Sequence, residues 1–337
     1  MFKYVSKDMP QYKANLHCHS TLSDGKLTPE QLKAAYKEQG YSVLSITDHE
    51  YPYDHSDMNE ADFLMLTGYE AYIRPSDKYN QYQPEVHINL FAKDPHNVRY
   101  INFNDNYCKY VKDQSIRDGF EKVGSMRPRE YTVEYINDFV KAAIENGYLC
   151  THNHAVWSLE DQEMISAYKG FFSMEMCNYS SFVSNRSEYN APLYDRLLRE
   201  GKRIFVHSAD DNHNEFPLES PASDSFGGFT MILAKDFTYP SVIEALEKGD
   251  FYSSMGPKIK ELTFDGKKVH IETDPVRQIT MFVGGKKTYF VVGDEFAPIT
   301  VADFEIPDTA PFVRFSAYDF NGRYADTRGF FRDELGL

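Results

Sequence analysis

The segment Asn15-Leu16-His17-Cys18-His19-Ser20-Thr21-Leu22-Ser23-Asp24-Gly25 places two imidazoles two residues apart, with a carboxylate five residues after the second. Side chains of an extended chain alternate faces, so His17 and His19 project to one side while Cys18 turns away. Two imidazoles so placed can reach one metal ion, and a Ser-Asp-Gly turn brings Asp24 back over the strand end as a hard oxygen ligand. A single His-x-His pair is a common accident. Here ligand-type residues recur at the tails of apolar runs: Asp48-His49 after 41–46, Glu70 after 63–66, His87 within 86–91, His152-Asn153-His154 after 148–150, and Asp210-Asp211-Asn212-His213 after 203–206. Mixed nitrogen and oxygen ligation without thiolate suits Mn, Fe or Zn.

The elements that must carry these residues can be read from periodicity and caps. Thr28-Pro29-Glu30-Gln31 combines an N-cap, a proline at the first helical position and a capping-box glutamine, with Gly40 as the stop. Thr132 caps a second helix over 133–146, whose apolar residues recur at helical spacing up to Gly147. Further helical stretches cover 193–199 and 241–248. About seven strands thus alternate with helices, the pattern of a βα-barrel with its polar residues at the C-terminal strand ends. Residues 94–130 are charged and lack sustained apolar runs, and are expected to form an insertion or lid. After Gly256-Pro257 the helical period disappears. Short β runs over 259–264, 268–273, 279–283, 289–292 and 312–319 alternate with Asp-Gly, Gly-Gly and Asn-Gly turns, predicting a small antiparallel sandwich. The expected division is a barrel over 1–255 and a sandwich over 256–337.

Composition narrows the function. A chain of 337 residues, 42% hydrophobic and 15% aromatic, can fill one large core and a small one. Its net charge of −15 argues against a long nucleic acid, whose binding requires Lys and Arg against phosphates. A small anionic substrate is compatible, because bound metal reverses the local sign. Cys18, Cys108, Cys150 and Cys177 form no CxxC pair, which predicts reduced thiols in a cytoplasmic protein. No apolar leader opens the sequence and no run approaches eighteen apolar residues, so no membrane partner is expected.

The series His17-x-His19, Asp24-Gly25, Thr47-Asp48-His49, Glu70, His87, His154 and Asp211-x-His213 resembles the PHP (polymerase and histidinol phosphatase) superfamily of metal-dependent hydrolases over residues 14–255. The resemblance implies a distorted seven-stranded (β/α)7 barrel holding two or three divalent transition metals. His17, His19, Glu70 and Asp211 would hold the first, Glu70 would bridge to a second held by His87 and His154, and Asp24, His49 and His213 would hold the third. Tyr252-x-Ser254-x-Gly256-Pro257, Val313-Arg314 and Asp319-x-Asn321-Gly322 resemble the tail of the CehA/McbA-like branch, which is less uniform in activity.

Further roles are expected around this core. Trp157-Ser158 after His154 favours His154 over His152 as the ligand, leaving His152, on the same strand face, as a proton donor or substrate contact. Asp48 and Asp210, each preceding a ligand, are expected to orient ligating imidazoles. Arg127, Arg129 and Arg186 lie where they could face phosphoryl oxygens, whereas His55 and His96 are expected at the surface. Clustered metals around a bridging carboxylate acidify a shared water and clamp an in-line displacement at phosphorus. The expected function is therefore a metal-dependent phosphoesterase attacking a small phosphorylated molecule with a metal-bridging hydroxide. Hydrolysis of a carboxylic ester, carbamate or amide is the alternative, and a metal-bearing binding scaffold without turnover is the third reading.

Overall fold

The apolar runs become short buried strands, and the sheet they form curls until its two edges meet. The computed structural model describes residues 1–76 and 78–337. In chain order the first part comprises β1 (Phe2–Val5), β2 (Tyr12–Asn15), α1 (Pro29–Glu38), β3 (Val43–Ile46), β4 (Leu64–Ile73) and β5 (Val86–Ala92). The region 94–130 supplies β6 (Tyr100–Ile101), α2 (Gln114–Gly119) and β7 (Lys122–Val123). Then follow α3 (Val133–Glu145), β8 (Tyr148–His152), α4 (Gln162–Ala167), β9 (Ser173–Asn178), α5 (Tyr179–Val183), α6 (Ala191–Arg199) and β10 (Phe205–Ala209).

Seven strands lie in the spatial order β2-β3-β4-β5-β8-β9-β10. Just past the ends of β2 and β10 the His19 amide donates to the Asn212 carbonyl (3.1 Å) and the Asp211 amide to the His17 carbonyl (2.9 Å), so the two edges join where the ligand-type residues lie. The expected alternation of parallel strands and helices fails at two places, the first being the β3–β4 connection, which holds only a short 3-10 turn at Ser56–Met58. At the second, β5 runs antiparallel to both β4 and β8, and among the described residues no helix joins it to β4. The helices that do form follow the caps read from the sequence. Thr28 and Gln31 close a capping box on α1, and Thr132 caps α3, which buries Tyr135, Ile136, Phe139, Val140 and Ala143 in the core shared with β5 and β8.

Beyond β10, β11 (Phe229–Ile232), α7 (Tyr239–Lys248) and β12 (Phe251–Ser254) lead into an all-antiparallel region: β13 (Ile259–Asp265), β14 (Lys268–Val276), β15 (Gln278–Phe282), β16 (Thr288–Val292), β17 (Ile299–Glu305), β18 (Phe312–Tyr318) and β19 (Tyr324–Asp326). One sheet has the order β1-β13-β14-β17; β12-β19-β18-β15-β16 continues the curled sheet through β11. The inward faces of both enclose one core that includes Leu262, Ile271, Ile279, Met281 and Phe315. The sequence division at 255 leaves β1 with the barrel, whereas β1 pairs with β13 and buries Tyr4 and Val5 in this second core. β17 was not foreseen, because Ala302 is its one fully buried residue and the strand lacks an apolar run. No helix among the described residues is long and apolar enough to cross a membrane.

Candidate metal centre

Sharp turns at the strand ends throw the ligand-type side chains inward. After β2 the chain folds back so that the Gly25 amide donates to the Ser20 carbonyl at 2.9 Å. A Cβ on residue 25 would stand 2.2 Å from the His19 carbonyl oxygen, so only glycine lets this turn close and carry Asp24 over His19. Glu50, His154 and Asp211 adopt left-handed φ values of 53°, 23° and 53°, a costly conformation for side-chain-bearing residues that gathers around this site.

The convergence point is the buried Glu70 carboxylate at the middle of β4. Its Oε1 lies 3.1 Å from His17 Nε2, 3.1 Å from His87 Nδ1 and 3.4 Å from His154 Nε2, and accepts a bond from Asn153 Nδ2 at 2.9 Å. Its Oε2 lies 3.0 Å from His49 Nδ1 and 3.5 Å from His19 Nε2. Asp211 Oδ1 stands 3.1 Å from His17 Nε2 and 3.0 Å from His19 Nε2. On the far side, Asp24 approaches His49 Nε2 at 3.7 Å and His213 Nε2 at 3.5 Å. All nine ligand-type residues expected here thus come together, in overlapping groups whose donor atoms lie within 4.8 Å of one another: His19, Asp24, His49 and His213; His17, His154 and Asp211; His17, His19 and Glu70; His49, Glu70 and His87.

These groups fit divalent cations on a specific observation. Glu70 Oε2, His49 Nδ1 and His87 Nδ1 are buried and face one another without a hydrogen bond, although the distances are short. Buried polar atoms left unpaired are costly, and a cation among them satisfies all three at once. The carboxylates are held ionised, and although burial opposes it, those same carboxylates raise His17, His49, His87 and His154 above the usual imidazole range, so a cation binding there would displace protons from them. Burial opposes ionisation of Glu70, yet His17, His87 and His49 hold its carboxyl well below the usual carboxylate range. Burial likewise opposes ionisation of Asp24, but His49, His19 and His213 draw it down to about 2. Burial, with His213 and His49 beside it, pulls His19 down to about 4, which leaves a neutral imidazole.

The groups behind the imidazoles were mostly not foreseen. Glu175, inside β9, accepts from His17 Nδ1 at 2.7 Å and from the His154 amide at 2.8 Å; Ser158 Oγ sits 3.0 Å from His154 Nδ1. The carboxylate of Glu175 calls for a proton on His17 Nδ1 and so turns His17 Nε2 toward the cluster, while the Ser158 hydroxyl holds the His154 ring through its Nδ1. The signal for Glu175 was a lone carboxylate within an apolar strand. Asp48 and Asp210 do not orient imidazoles directly. Asp48 accepts from the Ser20 amide (2.8 Å) and from the hydroxyls of Ser20 and Ser23 (both 2.6 Å), bracing the 20–25 turn and reaching His19 only through Ser23. Asp210 accepts from Tyr36 Oη and the amides of Phe226, Gly227 and Gly228, and burial pushes it up to about 7.

Other expectations are corrected by position. His152 does not share a face with His154, because β8 ends at His152 and the chain turns before His154. Its Nε2 pairs with Glu160 Oε1 at 2.8 Å, and it lines a separate cavity with Ile165, Tyr168 and Phe171, so a proton-donor role is not met. Arg127 pairs with Asp138 at the surface, and Arg129 is buried against Glu50; neither they nor Arg186 line the metal cavity. His96 is exposed as expected, but His55 is buried. The cavity above the cluster, about 420 Å³, is lined instead by Tyr72, Arg74, Lys109, Tyr110, Trp157 and the Ser180–Ser181 pair besides the ligand-type residues. The region 94–130 therefore contributes directly: Tyr110 stacks on His49, with ring centroids 5.6 Å apart and planes at 19°.

Fold and site together define a mixed α/β protein whose strand ends gather a buried His/Asp/Glu centre able to hold metal ions. Residues 15–144 match the family model of the PHP domain. Among solved structures the chain is similar to a two-domain Bacteroides vulgatus protein said to contain a PHP-like metal-dependent phosphoesterase, with 14% identity, 97% of this chain and 88% of that one covered, and a TM-score of 0.46. It is also similar to a Bifidobacterium adolescentis protein called a metal-dependent phosphoesterase (18% identity, 61% and 89% covered, TM-score 0.38) and to a Chromobacterium violaceum amidohydrolase (16%, 59% and 87%, TM-score 0.40). No curated protein matches the chain.

Proposed function

We propose that the protein is a metal-dependent phosphoesterase acting on a small phosphorylated molecule. The observation that carries this reading is the convergence on Glu70 of unpaired imidazole nitrogens and a second carboxylate, Asp211, at the floor of one cavity. His17, His19, Glu70 and Asp211 would hold one cation; Glu70 would be shared with a second held by His87 and His154; Asp24, His49 and His213, with His19 in reach, would hold a third. The donor set suits Mn, Fe or Zn. Such cations supply the nucleophile by acidifying a shared water and hold the oxygens of the displaced group.

The chain's own residues set the stage for that chemistry. Glu175 fixes the tautomer of His17, Ser158 holds the His154 ring through Nδ1, and Asn153 orients the Glu70 carboxylate. Asn178 Nδ2 donates to both Glu175 Oε2 and Asp211 Oδ2 at 3.0 Å, tying the two carboxylates into one frame. No Ser or Cys nucleophile is called for; the four cysteines are all buried. The curled seven-stranded sheet and the ligand series favour a PHP-type barrel, with residues 256–337 as an appended antiparallel unit of the CehA/McbA-like kind.

The test is an assay of manganese-loaded protein on an aryl phosphate and the matching aryl acetate. Metal-dependent turnover of the phosphate with little of the acetate is expected. Preference for the acetate would point to carboxylic ester or amide hydrolysis, and no turnover of either by fully loaded protein to a binding scaffold.

A further inference from the structure

A second cavity, of about 280 Å³, shares no lining residue with the metal cavity. His152 ends β8, and by alternation it points to the same side as Tyr148 and Cys150, which pack in one core with α3. The cavity therefore lies in the helical layer outside the curled sheet. Ile165 of α4, Tyr168 and Phe171 between α4 and β9, and Leu197 of α6 give it apolar walls. The rings of His152, Tyr168 and Phe171 form a corner, with each pair of centroids 5.6 to 5.9 Å apart. Such a corner offers both faces and edges to a further ring. An apolar cavity of roughly 150 Å³ already takes benzene, so this one has room for one ring or two fused rings.

One buried polar group stands at this apolar surface with an unused atom. His152 is only 2% exposed, yet it lines the cavity. Its Nε2 lies 2.8 Å from Glu160 Oε1, and Tyr168 Oη donates to Glu160 Oε2 at 2.8 Å. The carboxylate calls for a proton on Nε2, which leaves Nδ1 of the neutral ring as an acceptor. That Nδ1 makes no hydrogen bond among the described residues. A bare acceptor in apolar surroundings is costly, and an occupant that donates one hydrogen bond removes the cost. The other charged side chains along the wall are all cations: Lys169, Lys202, which donates to the Tyr168 carbonyl, and Arg203, which pairs with Asp333. A neutral N–H or O–H suits these surroundings, and an ammonium does not.

We infer that this cavity is a second binding site, which takes a small neutral aromatic molecule of the indole or phenol class with its single N–H or O–H donated to His152 Nδ1. The site is independent of the metal centre. The test is calorimetric titration of manganese-loaded protein with indole and with indene, which has the same ring shape but no N–H. Indole should bind at one site per chain, about tenfold more tightly than indene, near the upper end of what one neutral hydrogen bond contributes. His152→Gln keeps a donor for Glu160 but carries no acceptor where Nδ1 stands, so it should bind the two alike. Leu197→Phe narrows the cavity from α6 and should weaken both. Benzylphosphonate, directed at the metal cavity, should not displace indole.

Absence of saturable indole binding, or equal affinity for indole and indene, in the wild-type protein would overturn the inference, whether or not the variants fold. A preference for indole that survives in folded His152→Gln would overturn the role of Nδ1. Undiminished binding in folded Leu197→Phe, or displacement of indole by benzylphosphonate, would place the bound molecule elsewhere and equally refute the site.

Discussion

Glu70→Gln should lower phosphate-ester turnover by about 10³-fold or more, equivalent to about 4 kcal/mol of barrier, while the protein stays folded. The Glu70 carboxylate lies within 3.5 Å of five different imidazoles, those of His17, His19, His49, His87 and His154. An amide of the same shape keeps an acceptor oxygen but removes the negative charge that two cations would share, and it sets an N–H₂ donor against imidazole nitrogens. Metal content should fall with rate, so elemental analysis and turnover should be measured on the same preparation, with circular dichroism as the check on folding. Near-normal turnover at full metal content would assign the shared position to another carboxylate, with Asp211 next in line.

Arg129→Met should destabilise the protein by about 3–5 kcal/mol in denaturant unfolding, because it leaves Glu50 buried and unpaired. The Arg129 guanidinium grips both Glu50 oxygens, at 2.8 Å for the Nη2–Oε2 bond, donates to the Tyr72 carbonyl at 2.6 Å and lies 4.3 Å over the Tyr107 ring. Glu50 in turn accepts from the Tyr72 amide at 2.9 Å and from Tyr100 Oη, so one ion pair ties the His49 turn, β4 and the 94–130 region together. The double variant Glu50→Met/Arg129→Met should recover much of the loss, since a buried pair replaced by apolar groups need not cost stability. The alternative for Arg129, a phosphate contact, gives the opposite pattern: raised KM at unchanged stability.

That contrast marks where the sequence was legible. Histidines and acids at the tails of apolar runs could be assigned to one centre because strand ends in such a fold face a common space, and His17, Glu70, His87, His154 and Asp211 do meet there. Direction is what residue type does not encode. An arginine in a polar loop can as well turn inward to a carboxylate, as Arg129 does toward Glu50, as outward to a ligand. Period-two alternation fails where a strand stops, and so His152 was misplaced: β8 ends on it, and the left-handed turn at His154 separates the two side chains. Glu175 and Arg74 were assigned no role for another reason. Each lies in or just past a β run with no motif around it, and only the register of β4, β5 and β9 shows what they face. The reversed β5 was hidden too, because a buried strand reads the same in either direction.

Metal content tests the central claim most directly. After manganese or iron loading and removal of free ions, elemental analysis should find two or three ions per chain, and Mn²⁺ titration should quench the fluorescence of Trp157, whose ring lies 5.0 Å from that of His154. His154→Ala should lower that content, whereas His152→Ala, which alters a side chain paired with Glu160 outside the cavity, should leave it unchanged. Less than one ion per loaded chain, or metal loss on His152→Ala but not on His154→Ala, would contradict the account.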